Sequence, residues 1–205
     1  MLGTCPDITY AVIKLSQFSA NPSRDHFEWA KYICHYLVST KDYSMVFDGT
    51  PKEGLITFSD SDWAVDLSNC HSITGYFFKL AGSTVSWLLR AQKTVALSSM
   101  EAEYMAISDC CHQTMWIINL FSKIGFHVTP ITICGNNQSS PFISSNPVQE
   151  KQTKHIDIHY HYICECIKND KVSIIFIPGT GNSAERFCEH LGLTFRPTKK
   201  HLTGT

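Results

Sequence analysis

Charge of one sign is what this sequence most plainly lacks. Seventeen Lys and Arg oppose eighteen Asp and Glu among 205 residues, leaving a formal net charge of −1. A strongly basic nucleic-acid binder is excluded, although a local basic strip is not. Long apolar runs are missing too. Stretches such as Met115-Trp-Ile-Ile118 and Ile174-Ile-Phe-Ile177 fall far short of the ~20 residues a membrane helix needs. Residues 1–10 carry neither a basic n-region nor an apolar h-region, so no secretory signal is visible. Zinc-site spacing is also absent. The nine cysteines are scattered, and their only close pairs are Cys110-Cys111 and Cys164/Cys166. Most of them read as small buried hydrophobes in a reducing compartment, without disulfide partners. The expectation is an intracellular chain, in cytoplasm or nucleus, with no membrane partner.

What is present supports a folded domain. Hydrophobic residues make up 43% and charged residues 17%, enough apolar material for a core and too little charge for a disordered chain. Ile8, Ala11, Val12, Leu15 and Phe18 recur at helical period after Pro6-Asp7. Ser23 follows Asn21-Pro22 and caps a second predicted helix that buries Phe27, Ala30, Ile33, Cys34 and Leu37. Tyr43–Phe47 reads as a short strand. From residue 54 the pattern turns β-prone: Leu55–Ser59, Thr74–Leu80 and Thr84–Leu89 are predicted strands, the last two joined tightly through Ala81-Gly-Ser83. A long helix begins at Ser98, with Glu101 at capping-box spacing, and Gly125 closes it. Its apolar face is Ala102, Ala106, Cys110, Ile117, Phe121 and Ile124. A strand at Ile131–Cys134, a helix from His155 to about Lys168, a strand at Val172–Ile177 and a short helix at Ser183–Leu191 complete the order. This is a mixed α/β layer fold whose first three strands form an antiparallel meander.

Few residues suggest chemistry by themselves. The segment His155-Ile-Asp-Ile-His-Tyr-His161 is dense in potential metal ligands, but no second ligand pair stands nearby. It reads as polar positions at the start of a helix and on its exposed face. Carboxylates where strands end and helices begin are the parts of a magnesium site, because Mg²⁺ is a hard ion that prefers oxygen. Two such ions about 4 Å apart can activate a water and stabilise a leaving oxygen at phosphorus. Asp60, after a predicted buried strand, and Glu103, near the start of the long helix, are the candidates.

At these residues a family resemblance emerges. Phe58-Ser-Asp-Ser-Asp-Trp-Ala64, Ser72-Ile-Thr-Gly-Tyr76, Ser86-Trp87, Gln92-Lys-Thr-Val-Ala-Leu-Ser-Ser-Met-Glu-Ala-Glu-Tyr-Met-Ala106 and Lys154-His-Ile-Asp-Ile158 resemble the ribonuclease H domain of copia-type LTR retrotransposon Pol polyproteins. Residues 4–50, with Cys5-Pro-Asp-Ile-Thr-Tyr-Ala-Val12 and Leu37-Val-Ser-Thr-Lys-Asp-Tyr43, resemble the stretch that follows the reverse transcriptase. The Tyr-x-Asp-Asp polymerase motif and an integrase zinc motif are absent. A piece of Pol that does not polymerise DNA is the expectation. The resemblance implies an RNase H-like mixed sheet with flanking helices over residues 51–193, a helical N-terminal appendage over 1–50 and a disordered tail over 194–205.

The same resemblance implies two Mg²⁺ ions held by four acidic residues, hydrolysis of the RNA strand of an RNA–DNA hybrid, and the remainder of Pol as a partner. The hybrid would be recognised by shape and 2′-hydroxyls. Asp60 takes the first acidic position and Glu103 the second, leaving Glu101 as a cap or surface residue and Asp62 as a supporting one. The third position, an Asp in the family, is Asn136, within Cys134-Gly-Asn-Asn-Gln138. An amide supplies no charge, and losing one carboxylate in four weakens binding of two divalent cations. For the fourth, Glu185 substitutes for an Asp, or a short segment is deleted and Ala184 joins the family's terminal helix. Leu191-Gly-Leu193 favours the deletion. Lys93 and Lys154 are the implied hybrid contacts, with Arg90 and Lys151 nearby; Trp63, Trp87 and Trp116 read as core. The expected function is a ribonuclease H-type domain of weak or lost activity. The alternative is a non-catalytic nucleic-acid-binding or protein-interaction relic of that fold.

Overall fold

The structure, a computed structural model, describes residues 5–47, 54–63, 70–135 and 154–177. A 3-10 turn at Pro6–Ile8 leads into α1 (Thr9–Ser16), followed by α2 (Arg24–Ser39). Then come β1 (Ile56–Asp62), β2 (Ile73–Leu80), β3 (Ser83–Ala91), α3 (Ser99–Lys123), β4 (Ile131–Gly135), α4 (Lys154–Lys168) and β5 (Val172–Phe176). One five-stranded sheet runs in the order β3-β2-β1-β4-β5. The first three strands pair antiparallel, and β4 pairs parallel to both β1 and β5. The predicted meander is therefore present, and the two parallel strands are added on its β1 side through helical crossovers.

Local chemistry explains most of the element ends. Ala81 and Gly82 both take positive φ (49° and 83°) between the paired Leu80 and Ser83. Two left-handed residues in a two-residue loop match the twist of the strands they join. At the other end of α3, Gly125 has φ +85° and its N–H donates to Ser122 O, while the Phe126 N–H reaches back to Phe121 O. This pair of bonds satisfies carbonyls that the helix would otherwise leave open. Ser23 caps α2 as expected, but its partner is His26: the His26 N–H donates to Ser23 Oγ, and the Ser23 N–H donates to His26 Nδ1 at 3.0 Å.

The core lies on both faces of the meander. Tyr76 and Phe78 join Ile107, Cys110, Cys111, Ile117 and Ile163 beneath α3 and α4. Ile73, Phe77 and Leu89 face the other way, where Tyr10 and Ile13 of α1 cover them with Phe58 and Trp87. Residues 73–78 of β2 are consequently buried without alternation. This is what a strand covered on both faces requires.

Three expectations are corrected. No residue of α2 is buried: Phe27 is 62% exposed, and Ala30 and Cys34 also face water. Helical period shows which residues share a face, but it does not supply a layer to cover that face. Residues 43–47 form no strand, because no neighbouring strand pairs with them. Of the eight described cysteines, Cys110, Cys111, Cys134 and Cys166 are buried, whereas Cys34 and Cys70 are exposed; none of the eight forms a disulfide. The predicted helix at Ser183–Leu191 and the tail lie outside the described residues. Among those described, no helix is long and apolar enough to cross a membrane.

Candidate metal centre

Among the described residues, Ser59↔Gly135 is the last rung between β1 and β4, and the ladder from β1 to β2 runs on through Asp60↔Gly75 to Asp62↔Ile73. The partner opposite Asp60 is a glycine, so no side chain there competes for its space. Asp60 is nonetheless only 3% exposed.

The first turn of α3 separates its two glutamates by role. The Glu101 N–H donates to Ser98 Oγ at 3.1 Å, and Glu101 Oε2 accepts the Leu97 N–H at 2.7 Å. Glu101 is thus committed to capping the helix, as expected. Glu103 lies two residues on, and its Oε1 accepts the backbone N–H of Ser61 at 3.3 Å. Two turns further along, Thr57 Oγ1 meets Cys110 Sγ at 3.5 Å and donates to Phe77 O at 2.9 Å, holding the same helix along β1.

The two carboxyl groups interact directly. Glu103 is 7% exposed, and its pKa is pushed up from 4.5 to about 8. Burial is the main cause and the Asp60 charge the next; the Ser61 N–H pulls it partly back, while the close approach of the Asp60 carboxyl raises it further. Glu103 Oε2 is buried with no hydrogen-bond partner among the described residues. A pair of crowded, oxygen-rich acids with one orphaned atom fits a hard divalent cation, which would relieve the repulsion and take up that atom. The described residues contain no cluster of three or more His, Cys, Asp or Glu able to hold a metal. Asn136 follows Gly135 in the sequence, but it and Glu185 lie outside the described residues.

Comparison with known proteins decides the family. The chain is 35% identical over 185 residues to the retrovirus-related Pol polyprotein from transposon TNT 1-94 of Nicotiana tabacum, a match covering 90% of this chain and 14% of that polyprotein. It is 43% identical over 117 residues to secreted RxLR effector protein 161 of Plasmopara viticola, covering 57% of this chain and 82% of that protein. The chain belongs to the copia-type retrotransposon Pol family. The chain spans only about one seventh of that tobacco polyprotein's length, 14%. No protein-family model matches the chain. An RNase H1 isolated from compost by a metagenomic approach covers 65% of this chain and 91% of its own, with a TM-score of 0.49 and 11% identity.

The described residues of this copia-type chain place only some of the basic side chains expected to contact a hybrid. Arg90 is held by Asp109 of α3 at 2.7 Å. Lys93 is exposed on the segment between β3 and α3. Lys154 opens α4, but its side chain and Lys151 lie outside the described residues. The tryptophans divide. Trp87 is partly buried beside Ile73, Phe77 and Leu89, whereas Trp116 is 58% exposed on the outer side of α3. Trp63 is 49% exposed because its Nε1–H donates to Ala96 O at 3.2 Å, which holds the ring at the rim of the domain. The core assignment is therefore corrected for Trp63 and Trp116.

Gln92 is one residue of a long motif in the sequence, with no chemistry of its own to mark it. It is 4% exposed and makes two side-chain hydrogen bonds at the base of α3. The only signal available was a lone polar residue placed between a strand and a capped helix.

Proposed function

We propose that this copia-type ribonuclease H domain descends from a magnesium-dependent nuclease acting on the RNA strand of RNA–DNA hybrids, and that its turnover is weak or lost. The observation that carries the reading is the sealed carboxyl pair, Asp60 and Glu103, with Glu103 Oε2 left without a partner. Asp60 and Glu103 would hold Mg²⁺. Bound there, the ion supplies an activated water and charge stabilisation at the scissile phosphate. The chain's own residues do the rest. The Ser61 N–H orients Glu103, Glu101 anchors the helix start through Ser98 and Leu97, and Lys93 and Lys154 offer positive charge to the strand backbone.

The loss of turnover follows from charge. Asn136 stands where the family has a third carboxylate, and Glu185 is one methylene longer than the Asp it would replace if the region after Ser183 is not deleted. With two assured carboxylates, the pocket favours one loosely held cation over a tight pair. A labelled RNA–DNA hybrid with Mg²⁺ tests this. Expected is slow or undetectable cleavage, with any residue of it removed by Asp60→Asn. Vigorous cleavage abolished by Asp60→Asn would overturn the claim of weakened activity. Cleavage that survives the substitution would overturn the site.

A second reading, a non-catalytic binding module, rests on Asn136 and on the Plasmopara viticola effector, of which this chain covers 82%. Hybrid binding without cleavage and without calorimetric Mg²⁺ uptake would favour it. Uptake of two ions would favour the enzyme.

A further inference from the structure

Gln92 stands one residue past β3, where the chain turns toward α3. Its N–H donates to Ser72 O at 2.8 Å, and its carbonyl oxygen lies 2.6 Å from His71 Nδ1. Its side-chain Nε2 donates twice, to Thr74 Oγ1 of β2 at 3.0 Å and to Ala102 O of α3 at 2.9 Å. The amide oxygen, by contrast, is buried without a partner among the described residues.

For stability alone this is a poor choice of residue. The Ala102 carbonyl lies inside α3, whose ladder already offers it the N–H four residues on. The bond from Gln92 is additional. A methionine of similar length would fill the space and leave no orphaned oxygen. Where a chain breaks a local rule in this way, the compensation is sought in function.

Gln92 closes a circuit with four other residues. Thr74 is the β2 partner of Ser61. Ser61 donates its N–H to Glu103. Glu103 adjoins Ala102, and Gln92 joins Ala102 back to Thr74. Each side of the circuit is a hydrogen bond, a strand rung or a peptide bond. We propose that Gln92 is a positioning residue for the carboxyl pair, fixing the distance from the first turn of α3 to the end of β1 and so holding Glu103 at Ser61 beside Asp60. Its functional meaning rests on the cation reading of that pair; its geometric content does not.

The test uses the full chain with Gln92→Met and Thr74→Val, and Ile117→Val as a control that loosens α3 far from the pair. Two quantities are read: hydrogen exchange of the Ser61 amide, and Mg²⁺ affinity by calorimetry. Loss of the clamp is expected to speed Ser61 exchange on the order of tenfold and to weaken Mg²⁺ binding by a similar factor. Thr74→Val, which removes one of the two anchors, gives a smaller change of the same sign. Ile117→Val changes neither beyond its effect on global unfolding. If Gln92→Met does not fold, Thr74→Val decides. Ser61 exchange in Gln92→Met no faster than in the control would overturn the proposal. If the unmutated chain takes up no Mg²⁺, the cation reading fails and the Ser61 amide alone decides this one.

Discussion

Glu103 Oε1 accepts the Ser61 backbone N–H at 3.3 Å, so the second carboxyl group is fastened to the residue that follows the first. An amide oxygen could accept the same bond without ever ionising. Glu103→Gln is therefore predicted to stabilise the metal-free fold. The wild-type pKa is raised from 4.5 to about 8, so the folded state holds a proton that the unfolded state releases. The stability this proton lends is complete below pH 4.5 and is lost as pH rises to about 8. The advantage of Glu103→Gln should grow across that window and level off above it, reaching a few kcal/mol, on the order of the one-unit conversion times the shift. Thermal melts of both proteins at pH 4, 6, 8 and 9 measure it. Parallel melting curves at all four values would refute the assigned cause.

Cation binding has the opposite pH dependence. Below about pH 8, Mg²⁺ must displace the Glu103 proton. Apparent affinity should rise nearly tenfold per pH unit up to that point and then flatten, with proton release visible as a buffer-dependent calorimetric heat. Asp60→Asn removes the charge that helps raise Glu103, so Glu103 should titrate lower while Mg²⁺ uptake falls below detection.

Glu101 and Glu103 are neighbours in sequence with separable roles. Glu101→Ala removes the bond to the Leu97 N–H and should cost about 1 kcal/mol, typical of a lost cap. Mg²⁺ affinity should change less than twofold. Glu103→Ala should abolish that affinity. An equal loss from both substitutions would mean that the helix start as a whole, and not one carboxylate, holds the cation.

Asn136→Asp alone is expected to recover little cleavage under the proposal that the fourth acidic position is altered as well. Strong recovery in the hybrid assay would instead identify Glu185 as a working ligand.

Thiol labelling should separate access from acidity. Cys166 has its pKa lowered to about 7, chiefly by a hydrogen bond from Cys111, yet it is buried. Cys34 and Cys70 are exposed. A reagent must reach the sulfur before thiolate character matters. Cys34 and Cys70 should react within the first minutes in native buffer, with Cys166, Cys110 and Cys111 reacting only on unfolding; peptide mapping by mass spectrometry reads the order.

How much of this was legible in the sequence depended on whether the signal was local. The Ser98–Glu101 cap, the Ala81-Gly82 loop and the Gly125 helix end are set by a few adjacent residues, and each was read correctly. The antiparallel meander was legible in three closely spaced β-prone runs, whereas the parallel placement of β4 and β5 on the β1 side has no local signal and was not. Burial on α2 was misread because amphipathic spacing cannot say whether a second layer exists. Trp63 was misread for a related reason: the indole N–H finds Ala96 O across the chain, a tether with no sequence signature. Gln92 escaped notice because its two partners lie 18 and 10 positions away. The closeness of Asp60 and Glu103 likewise depends on α3 lying along β1, which only the folded chain displays.

The open face of α2 has a consequence for how this sequence can change over time. Phe27, Trp29, Tyr32 and Val38 are each more than half exposed and contribute nothing buried to the sheet. Surface replacements of that kind usually move stability by less than about 0.5 kcal/mol. Selection for folding alone would therefore leave these apolar side chains to drift toward polar residues. Apolar side chains kept at those positions in sister copies would record a past or present contact, much as wear on a hinge records a door.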